Sequence, residues 1–319
     1  MASESGCPIA DEDLFSDFVT WSRAHLWSGD IDPIYPWIKR VFDRLDLDEE
    51  ERLWRLYLYT AFYNLDALRF LTDERGYRVP TVIPIEDLNL PTGTERRCFR
   101  GQPEPAFRNI RHAVETGLFD PVLWDLRGRD GWHAVRDQFE SVPFNGPWAS
   151  YKWADLMMHV MGYPLEAASL GVGGASETAG PIPGMVKLTG QDWRRCANDL
   201  DLQNALLDEC HGRGVPFRGL DQLETCLCDF NSAVKAHYYV GHDIDLYGSQ
   251  IDSAPAVWWE ARADVFPPIF LGEQNGWTGV RDDLQRLYAD HGVVEWWKLG
   301  DLDVDVDPDR WHRITAVAT

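Results

Sequence analysis

Apolar residues recur at helical spacing along most of the chain. Leu14, Phe15, Phe18 and Trp21 mark one face of a helix over residues 11–27, with acidic residues in its first turn. The same spacing predicts a helix over 34–45 and a long one over 48–71, apolar on most sides and therefore central to a bundle. Pro80, Pro84, Pro91 and Gly93 make residues 72–101 irregular, and short helices follow over 106–116 and 132–139. Residues 191–236 are helical again, with Leu200, Leu202, Ala205, Leu206, Leu223, Leu227, Phe230 and Val234 spaced for burial. Trp-rich helical segments cover 257–262, 277–288 and 294–298. Strand pairs, internal repeats and phosphate-loop or dinucleotide fingerprints are not evident, so the expected fold class is all-α, mainly helical. Residues 1–10 read as a disordered lead, 11–300 as one large helical domain with room for two lobes meeting near 140–190, and 301–319 as an acidic tail.

One stretch stands apart. Residues 141–162 read as a tight turn, Phe144-Asn-Gly-Pro147, that launches an amphipathic helix with Pro147 near its first position. A turn of this kind leaves backbone N–H groups facing whatever lies in front, a ready site for a phosphate. Beyond it, the Gly- and Pro-rich run from Gly171 to Gly184 suits either a lid or a plain linker.

Composition pulls against a nucleic-acid reading. The chain has 319 residues, a formal charge of −22 and 15 Trp. Its pI near 4.7 opposes non-specific binding to DNA or to anionic membrane, both of which depend on Lys and Arg. Within this acidic background Arg96, Arg97, Arg100, Arg108 and Arg111 gather behind Pro91-Thr-Gly-Thr94. Guanidinium forks and turn N–H groups together make a phosphate or pyrophosphate cradle, unless the arginines only neutralise the chain's own carboxylates. The excess of Trp suggests partly wet ring surfaces on which flat ligands stack. Neither a signal segment nor an apolar run long enough for a membrane span is evident, which gives a cytoplasmic expectation and no membrane partner. Cys7, Cys98, Cys196, Cys210, Cys226 and Cys228 are then expected as free thiols; the alternative, a zinc site on Cys196, Cys210, His211, Cys226 and Cys228, is opposed by Cys226 and Cys228 sitting two apart in helical sequence and facing different sides.

A second cluster ends the 191–236 helical region. His242, Asp243 and Asp245 lie just past Gly241, with His237 and Tyr238 a turn earlier. Imidazole, carboxylate and phenol at close quarters suit a general base, an amine-binding site or oxygen ligands for a divalent ion, against the plain alternative of a solvated helix end. Aspartates at a helix C-terminus oppose the dipole, which favours a functional reason for them. The alternating Asp301-Leu-Asp-Val-Asp-Val-Asp307 lacks the glycine and closing Glu of a calcium loop.

The run Val142-Pro-Phe-Asn-Gly-Pro-Trp-Ala-Ser-Tyr151 is similar to the helix–hairpin–helix element of the DNA glycosylase superfamily, whose pattern is a Pro, a Gly-x-Gly-type turn and then a helix. Two departures stand out: Asn145 replaces a usual hydrophobic residue, and only one glycine is present. The glycosylases' catalytic Asp lies about twenty residues after the hairpin, where this chain offers Glu166. Together with Leu90-Pro-Thr-Gly-Thr-Glu-Arg-Arg97, Glu224-Thr-Cys-Leu-Cys-Asp229 and Tyr239-Val-Gly-His-Asp-Ile-Asp245, the chain resembles the amino acid:DNA transferases, also called α-glutamyl/putrescinyl-thymine pyrophosphorylases, over roughly residues 50–300.

The resemblance implies a DNA-glycosylase-like helical fold and a transferase. Such an enzyme displaces pyrophosphate from 5-(pyrophosphoryloxymethyl)uracil in phage or bacterial DNA with an amino acid or polyamine, giving hypermodified thymine. Its partners would be the modified DNA and the amine, with no cofactor and no metal. In this chain Arg96, Arg97 and Arg100 would hold the departing pyrophosphate. Gly146, Trp148, Tyr151 and Lys152 would engage DNA, and one of Glu166, Glu224, Asp243 or Asp245 would take the amine's proton. Three alternatives stay open: a glycosylase or lyase working through Lys152 or a nearby carboxylate, a non-catalytic helical DNA-binding protein, and a metal-dependent hydrolase built on His242, Asp243 and Asp245.

Overall fold

The computed structural model describes residues 6–84, 86, 90–93, 103–119, 126–171, 180–271 and 305–316. Among them the structure is mainly helical, as the periodicity predicts, and the only extended pairing is an isolated bridge between Gly128 and Leu165. The helices are α1 (Glu12–Ser28), α2 (Ile34–Arg44), α3 (Glu49–Phe62), α4 (Leu65–Arg69), α5 (Pro103–Glu115), α6 (Gly128–Glu140), α7 (Pro147–His159), α8 (Ile182–Thr189), α9 (Trp193–Asn198), α10 (Leu200–Gly212), α11 (Leu220–Ala233), α12 (His242–Ser249), α13 (Ala256–Val265) and α14 (Arg310–Thr315). No helix among the described residues is long and apolar enough to cross a membrane. The Trp-rich segments predicted over 277–288 and 294–298 lie outside the described residues, as does most of the Gly-rich run.

The long helix predicted over 48–71 is broken. Asp48 caps α3 by accepting from the Glu51 N–H, and α3 ends where Tyr63 turns left-handed at φ 48°. Asn64 then accepts from the Ala67 N–H and starts α4, which passes into a π turn over Phe70–Glu74. An Asn side chain competes with the helix for backbone N–H groups, and an apolar pattern does not register that competition.

The chain forms two compact units, each assembled from separate stretches. One comprises Met1–Pro33, Ala167–Asp245 and Val265–Ile314. Here α1 packs on α11, with the Phe18 and Phe230 rings edge to face at 5.2 Å and Trp21 against Phe230 and Tyr238. The α8 helix approaches α11 so closely that a Cβ on Gly184 would run into the Leu227 carbonyl.

The other unit comprises Ile34–Glu166, Leu246–Asp264 and Thr315–Thr319. Its α6 and α7 pair through the stacked rings of Phe139 and Trp153 at 5.0 Å and the edge-on rings of Trp132 and Tyr151 at 5.0 Å. Seven tryptophans of the chain, at 21, 37, 54, 132, 153, 258 and 311, are buried almost completely. The high Trp content therefore serves the cores first, where each ring contributes about 1.5–3 kcal/mol by burial.

Candidate functional site

The hairpin joins the end of α6 to the start of α7. Phe144 takes φ 74°, the left-handed conformation that favours glycine, and its side chain is 41% exposed. Gly146 follows in extended conformation as the N-cap of α7, with Pro147 at the first helical position and no side chain capping the helix. A Cβ on Gly146 would meet nothing within 4 Å. The turn thus presents an aromatic ring and an open helix start together.

Asn145 holds this turn from within. Its amide donates to the Phe139 carbonyl at 2.9 Å and its Oδ1 accepts from the Asn109 Nδ2 at 2.9 Å. Asn109, fully buried on α5, also donates to the Pro143 carbonyl at 2.8 Å and accepts from the Tyr57 hydroxyl of α3 at 2.5 Å. A hydrophobic residue at 145 has no means to join such a network. Across the hairpin, the Ser150 hydroxyl donates to Glu140 at 2.5 Å and accepts from the Arg136 Nε at 3.2 Å. The α5 helix that anchors the turn also carries Arg108 and Arg111, both exposed, on either side of Asn109.

Not every residue assigned to DNA from the sequence reaches the surface. Tyr151 is wholly buried against Trp132, with the Arg136 guanidinium 5.6 Å from its ring. Lys152 is buried as well, its ammonium 3.4 Å from Asp155 and 5.9 Å from the Tyr35 ring, while the Tyr35 hydroxyl donates to Asp155 at 3.2 Å. Both residues are packing elements of α7, because on a helix wrapped by neighbours positions 151 and 152 both turn inward. Trp148 is half-buried, edge-on to Tyr63 at 5.3 Å.

Glu166 is exposed and ion-paired with Arg129 at 2.7 Å. Its N–H donates to the Gly128 carbonyl, which places it beside the start of α6, one helix length of about 18 Å from the hairpin. Arg96, Arg97 and Arg100 lie outside the described residues.

The second predicted cluster belongs to the other unit and is larger than the sequence suggests. His242 and Asp243 open α12 instead of closing a helix, so Asp243 and Asp245 sit in a first turn where the dipole favours them. The dipole argument for function at these two residues is therefore withdrawn. What caps this turn is Asp30: its carboxylate accepts from the Gly241 N–H at 2.7 Å, the Ile244 N–H at 2.9 Å and the Tyr238 hydroxyl at 3.2 Å. Asp30 is fully buried, and so is His25 of α1, whose Nδ1 lies 3.7 Å from Asp30 and whose Nε2 is 3.0 Å from Asp229. The His242 Nδ1 meets the Asp243 carboxylate at 2.8 Å and its ring lies 4.7 Å from Tyr238. Asp245 accepts from the Tyr239 hydroxyl at 2.9 Å, and Glu224 is buried on α11 beside Thr225, whose hydroxyl donates to it and to Asp32.

The electrostatics of this cluster suit proton transfer. Burial pushes the Asp30 carboxyl up to about 7, with His25 and the backbone donors opposing and Asp243 adding. Burial pulls the His25 imidazole down against the charges of Asp30, Asp243 and Asp32. Burial also opposes the charged form of His242, but the hydrogen bond and charge of Asp243, with Asp30 and Asp229, outweigh it and raise its pKa. Groups whose proton affinities are shifted in opposite directions by burial and by neighbouring charge thus lie side by side.

Among the described residues no group of three or more His, Cys, Asp or Glu is placed to hold a metal ion. Cys7, Cys196, Cys210, Cys226 and Cys228 are free thiols, and Cys98 lies outside the described residues. The part played by His25, Asp30 and Asp32 is not visible in periodicity. A usable signal is that Asp30-Ile-Asp32 after Gly29 repeats the Asp243-Ile-Asp245 that follows Gly241 by one residue. No family model matches the chain, and no curated protein matches it.

Proposed function

We propose that the protein is a transferase acting on a modified base in DNA, displacing pyrophosphate from 5-(pyrophosphoryloxymethyl)uracil with an amine. The observation that carries this reading is the hairpin. Phe144 adopts the left-handed backbone that the first glycine of a Gly-x-Gly turn would adopt, and Gly146 opens the following helix. This backbone supports reading the turn as a glycosylase-type helix–hairpin–helix with one glycine missing. Its uncapped helix start suits a DNA phosphate, and the α5 helix whose Asn109 anchors the turn also carries the exposed Arg108 and Arg111.

The chemistry is a substitution at the methylene carbon of the base. The amine nitrogen forms a C–N bond as the C–O bond breaks, and the electron pair leaves with pyrophosphate. The incoming amine, an ammonium ion in water, must first give up a proton. His242, paired with Asp243, would be the acceptor, since Asp245 is held by Tyr239 and Glu224 is buried. Arg96, Arg97 and Arg100 would stabilise the charge that gathers on the leaving pyrophosphate.

The test is amine-dependent release of pyrophosphate from duplex DNA carrying the pyrophosphorylated base. The parent protein should release it and Arg97→Ala should lose release at least about 100-fold, the scale of removing one charge-stabilising donor. Loss of the base itself would point to a glycosylase, and absence of any turnover to a binding protein.

A further inference from the structure

His25 and Asp30 are fully buried, and the proposed chemistry leaves both unused. Nε2 of His25 lies 3.0 Å from Asp229 of α11 and donates its hydrogen there, which leaves Nδ1 of a neutral imidazole as a bare acceptor. Among the described residues Nδ1 has no hydrogen-bond partner, and it faces Oδ2 of Asp30 across 3.7 Å. A carboxylate in that place sets two buried acceptors against each other, and an imidazolium beside a carboxylate buries two charges. A neutral imidazole beside a protonated carboxyl avoids both costs. The described groups that face the pair are the rings of Trp21 and Tyr238, the Tyr238 hydroxyl, Asp32, Asp229 of α11, and His242 and Asp243 of α12. Asp30 also accepts from the N–H groups of Gly241 and Ile244, on either side of His242, so its position fixes where α12 begins.

We infer that His25 and Asp30 form a proton-swapping latch: as the Gly241–Ile244 turn closes onto the end of α1, one proton passes from imidazole to carboxyl, and none is drawn from solution. With the turn open and both side chains in water, His25 is an imidazolium below about pH 6.5 and Asp30 a carboxylate above about pH 3.9. On closing, the Nδ1–H bond of His25 breaks and an O–H bond forms on Asp30, so two opposite charges disappear and the net charge stays the same. Burial lowers the His25 pKa against the charges of Asp30, Asp243 and Asp32. Burial raises that of Asp30 to about 7, with His25 and the backbone donors opposing and Asp243 adding. Opposite shifts in adjoining groups are what an internal transfer requires. The pair acts in this way whatever reaction His242 serves.

The experiment reads amide hydrogen exchange of the full chain over residues 238–245 by mass spectrometry, at about pH 5 and about pH 6, with each rate corrected for the intrinsic effect of pH. In this window His242, whose pKa is raised in the fold, is protonated whether the turn is open or closed and adds little slope. The parent's protection should hold level to within about 2-fold, since the closed and open forms carry the same number of protons. His25→Gln leaves Asp30 to take its proton from solution, so protection should fall roughly 10-fold from pH 5 to pH 6. Asp30→Asn leaves His25 to give its proton up, so protection should rise roughly 10-fold over the same interval. A parent that follows either variant, or variants whose slopes share a sign or vanish, would overturn the latch. The ring nitrogens of His25 in the 15N-histidine-labelled parent provide a reading that needs no variant to fold. A neutral imidazole with a bare Nδ1 at pH 6 is expected, and an imidazolium would overturn the latch. Neither measurement involves DNA, so the outcome is separate from that of pyrophosphate release.

Discussion

Asn109 concentrates the hairpin's support in one side chain, donating to Pro143 and Asn145 and accepting from Tyr57. Replacing it with Ala leaves the buried Tyr57 hydroxyl and the part-buried Pro143 carbonyl and Asn145 amide without their partner, so Asn109→Ala should cost about 1–3 kcal/mol in urea unfolding. DNA affinity should fall with it because the turn is released. His242 is testable through pH. Its pKa is raised in the folded protein, so its stabilising contribution is complete below the unfolded value of about 6.5 and is lost as pH rises through the folded value. Asp30 acts in the same direction, since its raised carboxyl favours the fold at low pH and loses that advantage up to about pH 7. His25 acts in the opposite direction, because its imidazole is held neutral in the fold. The difference between His242→Gln and the parent isolates one group. Melting temperatures across about pH 5.5 to 8.5 should show the parent losing its lead over the variant as pH rises; parallel curves would remove His242 from the cluster's titration.

At the level of elements, the positions of helices were legible wherever an apolar face ran unbroken. The spacing of Phe15, Phe18 and Trp21 locates α1 nearly to the residue. It fails at Tyr63-Asn64, where capping outweighs pattern, and at His242, where Gly241 ends one segment and a new helix begins at once. The hairpin was legible as a turn because Gly-Pro chemistry is local. The inward role of Tyr151 and Lys152 was not, since it depends on Trp132 and Tyr35 arriving from other helices. The same limit hid His25, which meets Asp229, and Asp30, which meets Gly241 and Ile244, each across more than two hundred residues. The contact of α8 with α11 offers a test at this scale. Gly184→Ala pushes a methyl into the Leu227 backbone, which cannot yield as a side chain tip would, so a loss of about 1–3 kcal/mol is expected in the same urea assay.

For the whole molecule, the formal charge of −22 sets the terms of any encounter with DNA. Binding must depend on a small local field, and the exposed Arg108 and Arg111 beside the hairpin's anchor are described residues able to supply part of it. The most direct measurement is the mass of the modified nucleoside after DNA bearing 5-(pyrophosphoryloxymethyl)uracil is incubated with the protein and a simple amine such as putrescine. The transferase reading requires a thymine derivative that has lost the pyrophosphate and gained the amine, in step with pyrophosphate release. An unchanged nucleoside, or an abasic site in its place, would contradict it.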